Sequence, residues 1–365
     1  MKKTSLHSSH KKLDAKLVDF AGWEMPINYP AGIIKESTFV RESCGMFDVS
    51  HMGRVEIFGK NAKNFIEKIL PIDVNTLNTS SAKYTLLIDE KKQILDDLII
   101  YKISEDKFLL VINASNTEED LDWIQKINND VNINNITPDT SMIAVQGPKA
   151  LDKINLLSNS AITDLGRYKY KEINLQGYSI FVARTGYTGE DGVEIICNNK
   201  DAENIWNILL ENDVEACGLG ARDLLRIEAG LHLYGHEINK NSNPKDIGLG
   251  RLLESKSKNY INYDYIKSDE IQKGKESLVG LVILDRGIAR EGNEIYIDNK
   301  IIGNITSGTH SPRVNSAIAI GMLEKNYNNI ENTVKIKVRE KFLEAKIVKL
   351  PFYRRKRKWV KFLKI

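Results

Sequence analysis

The chain has 365 residues, too many for one small core, so two or three domains are expected. With 42% apolar and 28% charged residues, it reads as an ordinary globular protein, which excludes the disordered and fibrous classes. The net charge of +3 hides a division: residues 354–364, "RRKRKWVKFLK", carry seven basic residues and no acid, leaving a body near −4.

The start, "MKKTSLHSSHKKLDAKL", is basic but has no apolar segment behind it, and no apolar run approaches the roughly 18 residues of a membrane span. A cytoplasmic protein is therefore expected, with no membrane association. Three cysteines, Cys44, Cys197 and Cys217, are far apart and odd in number, which fits reduced core residues better than a metal pair or a disulfide framework.

In chain order, "AGIIKESTFVRESCG" has helical spacing, "RVEIFG" alternates as a strand, and "NAKNFIEKIL" is an amphipathic helix stopped by Pro71. "KYTLLI" and "ILDDLIIYKI" flank the polar turn "DEKKQ" as a hairpin, followed by the strand "KFLLVINA" and a helix over "NTEEDLDWIQKI". "MIAVQGP", "YSIFVART" and "VEIIC" read as strands and "AENIWNILLEN" as a helix. "GLGARDLLRIEAGLHLYG" reads as turn glycines leading into a helix with apolar Leu224, Leu225, Ile227 and Leu231. A polar, Lys-rich join over residues 256–277 leads to short strands that predict a small antiparallel barrel or sandwich. Strands and helices mix without βαβ alternation, so the class is α+β.

Two stretches pose chemical questions. In "GYTGEDGVEI", Glu194 sits between Val193 and Ile195, and a carboxylate buried there needs a protein or ligand partner. In "QILDDLIIY", period two puts Leu95, Asp97 and Ile99 on one face and Ile94, Asp96, Leu98 and Ile100 on the other, so each acid interrupts an apolar face. Either the strand start is exposed and both acids are wet, or at least one serves a site. Arg222 follows a Gly-flanked turn at a helix start, suited to a carboxylate ligand or to an internal ion pair. His232 and His236 are four apart, but Gly235 interrupts the helix and no third ligand is spaced to match, so no metal is expected. No Walker loop, GxGxxG or nucleic-acid-binding motif occurs, and the basic terminus reads as a tail.

Taken together, "LVDFAGWEMPINY", "GMFDVSHMG", "ILDDLIIY", "VINASN", "MIAVQGP", "RTGYTGEDGVEI", "GLGARDLLRIEAGLHLYGHEI", "ITSGTHSP" and "PFY" resemble, in order, the aminomethyltransferases, the T proteins of the glycine cleavage system. The similarity runs from about Leu13 to Tyr353, which leaves no room for a mitochondrial presequence and implies a bacterial, cytoplasmic protein. It implies a three-domain clover-leaf T-protein fold: residues 1–51 with 140–260 as a discontinuous folate-binding domain, a ferredoxin-like insert over 52–139, and a C-terminal β domain over 277–365.

The implied reaction takes the aminomethyl group from the lipoyl arm of the H protein and, with tetrahydrofolate, gives ammonia and methylene-tetrahydrofolate. Glu194 matches the family's pterin-binding glutamate and Asp97 its catalytic aspartate. Arg222 matches its folate-site arginine, and Tyr84, Asn113, Tyr187 and Met52 match channel-lining positions. Lys92 and Gln93 replace a common Gly-Gly, Arg251 stands where a tryptophan is usual, and the family's last folate contact has no clear counterpart after "PFY". Alternatives on the same scaffold are another folate-dependent demethylase, or a folate-binding iron–sulfur assembly protein. The latter's KGCYxGQE motif is replaced here by "RTGYTGEDG", without the cysteine.

Overall fold

The computed structural model describes residues 1–128, 130–158 and 160–355; most of the basic C-terminal run, residues 356–365, lies outside them. Three large sheets, each with its own apolar core, organise the described residues beside a small two-stranded one, in a mixed α/β, multi-domain architecture.

The first sheet has six strands in the order Tyr170–Leu175, Tyr178–Ala183, Gly192–Asn198, Thr140–Gln146, Gly45–Asp48 and Glu215–Ala216. All neighbours are antiparallel except the last pair. The helix Asn199–Glu211 buries Ala202, Ile205, Trp206 and Leu209, an i, i+3, i+4, i+7 stripe, against one face of this sheet. On the other face, Phe47, Val49, Met142 and Ala144 meet Tyr101, Leu109 and Val111 of the second sheet.

That second sheet runs Ser81–Ile88, Ile94–Ser104, Lys107–Ile112, Gly53–Phe58 and Asn132–Asn135. Without its first strand, the chain order strand–helix–strand–strand–helix–strand gives the spatial order 4-1-3-2, which is the ferredoxin-like arrangement. Its helices Ala62–Ile69 and Thr117–Ile127 pack Phe65, Ile66, Trp123 and Ile124 onto Leu98, Ile100, Phe108 and Leu110.

The third sheet is a closed six-stranded barrel, Glu276–Ile283, Ser316–Glu324, Lys300–Ser311, Glu294–Ile297, Thr333–Val338 and Lys341–Val348, which removes every free edge. Among the described residues no helix is long and apolar enough to cross a membrane. All three cysteines are buried and unpaired.

The structure corrects several expectations. A helix, His7–Lys12, and a hairpin of Lys16–Phe20 with Trp23–Asn28 precede the first expected helix. The late helix is Leu219–Glu228 and excludes Leu231, because the chain turns at Gly230 with φ +62. His232 and His236 are therefore not on a helix: each places a ring nitrogen on a backbone carbonyl, that of Ile247 at 2.7 Å and of Thr306 at 3.2 Å. In the acid-bearing strand, Leu87 pairs with Asp96 and Ile88 with Ile94, so Leu95 is the extra residue of a bulge. Leu95 thereby joins the helix-side core with Leu98 and Ile100 instead of sharing the face of Asp97 and Ile99.

Candidate functional site

The bulge sets the directions in which two adjacent acids face. Downstream of it, Asp96 turns toward the helix layer and is fully buried, while Asp97 turns the other way and is half-buried, so neither is a wet strand end. Asp97 accepts a hydrogen bond from the Tyr84 hydroxyl at 2.8 Å and one from the Asn113 amide at 3.1 Å. Tyr84 stands on the neighbouring strand of the hairpin and Asn113 directly follows the strand on the other side. Burial, and then the nearby Asp96 carboxylate, push the Asp97 carboxyl up to about 7. A carboxyl titrating there can hold or release a proton at physiological pH.

Asp96 is tied down by backbone and side-chain amides. The Asn113 backbone N–H donates to it at 2.8 Å, the Asn113 side chain at 2.7 Å and the Asn116 side chain at 2.6 Å. Asn113 thus bridges the two acids and fixes their relative orientation.

Glu194 lies in the strand Gly192–Asn198 between Ala183 and Ala144 on the flanking strands, and these small side chains leave room beside the carboxylate. It is buried, and its protein partner is Thr185, whose hydroxyl donates at 2.6 Å. The Tyr101 hydroxyl lies 3.3 Å from Thr185 and extends the chain of polar contacts. A single hydroxyl leaves most of a carboxylate's accepting capacity open.

Arg222 occupies the first turn of Leu219–Glu228, with its guanidinium 5.0 Å from the centre of the Tyr187 ring. Tyr187 is held in turn by its hydroxyl, which donates to the His232 carbonyl. The Arg222 Nη1 is buried without a hydrogen-bond partner, and among the described residues no carboxylate hydrogen-bonds to the guanidinium, so the internal-pair alternative is set aside. Burial lowers its pKa, an effect opposed by Glu194 and Tyr187. A guanidinium this basic nevertheless stays charged. A half-buried guanidinium with one buried, unpartnered nitrogen near an under-used buried carboxylate is left incompletely satisfied unless a ligand completes both.

Met52 packs partly buried between the first two sheets, against the cluster that contains Tyr101 and Ile99. Six of the seven residues singled out from the sequence therefore form two groups, Asp97–Tyr84–Asn113 and Glu194 with Arg222–Tyr187, while Met52 packs apart from both. Tyr187 joins them electrostatically, since it lies within range of both Asp97 and Arg222.

Thr185, Tyr101 and His51 were not anticipated. His51 is buried, its Nδ1 lacks a partner and its ring meets Phe20 edge-on at 5.3 Å. Tyr101 could have been found, because it continues the 97, 99, 101 alternation. His51 gives no such signal. Among the described residues no grouping of His, Cys, Asp or Glu could hold a metal ion.

Residues 6–257 match the model of the GCVT N-terminal domain, and residues 277–354 that of the glycine cleavage T-protein C-terminal barrel domain. An aminomethyltransferase from Halalkalibacterium halodurans is 38% identical over 361 residues, spanning 97% of this chain and 99% of that protein. The crystal structure of the glycine cleavage system aminomethyltransferase T from Bartonella henselae superposes with a TM-score of 0.89 at 31% identity, covering 96% of this chain and 98% of that one.

Proposed function

The chain belongs to the glycine cleavage T-protein family, whose members are aminomethyltransferases, and from that premise we infer how its residues divide the work. The substrates are tetrahydrofolate and the aminomethyl-loaded lipoyl arm of the H protein. Tetrahydrofolate supplies the amine nitrogens that receive the one-carbon unit. Glu194 accepts hydrogen bonds from the amino group and ring N–H of the pterin, with Thr185 holding one carboxylate oxygen in place. Arg222, braced on Tyr187, presents its unpaired Nη1 to acceptor atoms of the same ligand.

Asp97 acts in its ionised form. It orients the attacking amine, accepts its proton and stabilises positive charge developing beside it. Tyr84 and Asn113 fix both carboxylate oxygens, leaving the group little freedom to turn away. Met52 forms part of the channel wall. The division into residues 1–51 with 140–260, 52–139 and 277–365 is kept within this reading.

The observation that carries it is the clasped, half-buried Asp97 with its raised pKa, in a chain that matches the family along nearly its whole length. The test is ammonia release from aminomethyl-lipoyl H protein, measured with and without tetrahydrofolate, alongside calorimetric titration of tetrahydrofolate alone. Folate-dependent ammonia release and saturable folate binding are expected. Ammonia release indifferent to folate, or no folate binding, would overturn the reading.

A further inference from the structure

Behind Asp97 lies a third acid that the family reading leaves without a role. Asp120 sits in the first turn of the helix Thr117–Ile127, is fully shielded from solvent, and neither of its carboxyl oxygens has a hydrogen-bond donor. An ionised carboxylate in that condition would carry its entire desolvation cost unrelieved. Its neighbour is Asp96, an acceptor already facing three amide N–H donors from Asn113 and Asn116. Two acids side by side, one supplied with donors and the other with none, are relieved if the unsupplied one keeps its proton and becomes a donor itself.

We propose that Asp120 is a protonated carboxylic acid that donates a hydrogen bond to the Asp96 carboxylate, making the pair a singly charged anchor that positions Asn113 and, through it, Asp97. One proton serves two carboxyls, and the negative charge stays on Asp96. Burial and the Asp96 charge both push the Asp120 carboxyl well above the usual carboxylate range. The other ionisable groups facing the pair favour the same state. Asp97 and Glu119 add negative field, Glu119 being offset by Lys240, while Tyr84 and Tyr234 remain neutral because burial and these acids raise them. Asp120 reaches no substrate and is a positioning residue. The inference rests on the reading of Asp97 as the ionised catalytic group.

The consequence is that Asp97 faces one fixed negative charge behind it and not two. A second charge would raise its pKa further and keep it protonated at neutral pH, disabling it as an acceptor.

Infrared difference spectra of the full-length protein, taken well above neutral pH where Asp97 is ionised, should contain the carbonyl stretch of a buried protonated carboxyl, and Asp120→Asn should abolish it. No such band in the wild type, or a band that survives the substitution, overturns the inference whatever Asp97 does. Asp120→Ala should lower kcat by about tenfold with little change in KM for folate, the loss expected when one charge-assisted hydrogen bond behind the reacting group is removed. Asp120→Asn, which restores a donor without a titratable proton, should recover kcat to within about twofold. Its acid limb of kcat/KM should also coincide with the wild type; a limb displaced to lower pH would mean that Asp120 was charged, and would overturn the proposal. Should Asp120→Ala fail to fold, the band and the acid limb of Asp120→Asn still decide the matter. Failure of the Asp97 reading is separately visible, because Asp97→Asn would then turn over normally while the Asp120 band remained.

Discussion

Asp97 and Asp96 are two identical neighbouring side chains in different surroundings. Asp96 meets three amide donors and no solvent, whereas Asp97 meets one phenol, one amide and the open side of the site. Asp97→Asn should leave the fold and folate affinity intact while lowering turnover by roughly 10²- to 10⁴-fold, the usual contribution of a positioned proton acceptor. The pH dependence has a definite sign. If, as proposed, the ionised form is the active one, then with its carboxyl pushed up to about 7, kcat/KM should fall as pH drops through that region and level off above it. A profile flat down to the normal carboxylate range would remove Asp97 from the acceptor role. At Glu194, replacement by Gln turns one acceptor into a donor facing pterin donors, so folate affinity should weaken by about 1.5–3 kcal/mol, roughly 10- to 150-fold by calorimetry. Unchanged affinity would leave only the Thr185 contact to account for a buried glutamate in that strand.

At the scale of elements, the strands that position the site were largely legible in the sequence, and the departures have local causes. The hairpin Ser81–Ile88 with Ile94–Ser104 follows from period-two alternation on either side of a polar turn. The bulge at Leu95 does not, because an apolar residue that adds one to the count looks the same in sequence as one in register. The N-terminal hairpin was hidden because its turn uses Ala21 at φ +52 before Gly22 at φ +79, and alanine is not a turn signal in the way that Asn or Gly is. Glu194 was legible as an anomaly from alternation alone, whereas the role proposed for Asp97 needed the family resemblance. Asp120 was not legible at all, since an acid in a helix's first turn ordinarily serves the helix end. The turn before the acids gives its own test. Lys92 has φ +68 where the family commonly has glycine, with its amine 4.9 Å from the centre of the Tyr265 ring. Lys92→Gly should relieve the left-handed strain but lose that contact, a net stability change within about 1 kcal/mol. Lys92→Val, β-branched in the same conformation, should cost about 1–2 kcal/mol in urea unfolding. Equal stability for both variants would mean that the turn rearranges and imposes no backbone requirement.

For the whole molecule, the barrel must be held against the first sheet if both are to frame one site, and buried ion pairs are built into that junction. Arg226 donates to Glu237 at 2.6 Å and to the barrel residue Ser307 at 2.7 Å, and barrel Thr306 donates to Glu237 at 2.6 Å. Arg41 donates to Glu228 at 2.8 and 3.0 Å, to Glu190 at 3.0 Å and to the Thr188 carbonyl at 2.7 Å, while barrel Ser311 donates to Glu228 at 2.6 Å. The chain leaving the barrel then crosses back, with the Tyr353 ring 3.9 Å from the Arg41 guanidinium, the Tyr353 N–H on the Glu228 carbonyl, and Arg355 on Asp191. Apolar contact between Ile227 and Ile318, Ile320, Leu350 and Phe352 fills the space beside these groups. Pairs this buried add little net stability over apolar replacements, but removing one partner strands the other. Arg41→Ala leaves Glu190 and Glu228 without their shared cation and takes away the surface under Tyr353, so it should cost about 3–5 kcal/mol in urea unfolding. Because Thr188 and Glu190 belong to the same loop as Tyr187, folate affinity should fall with it even under conditions where the variant remains folded. Lys2→Ala, which breaks an exposed pair with Glu118, is the control and should leave the unfolding midpoint in place. If Arg41→Ala behaves like that control, the apolar contacts alone hold the barrel, and the position of Tyr187 is independent of the junction.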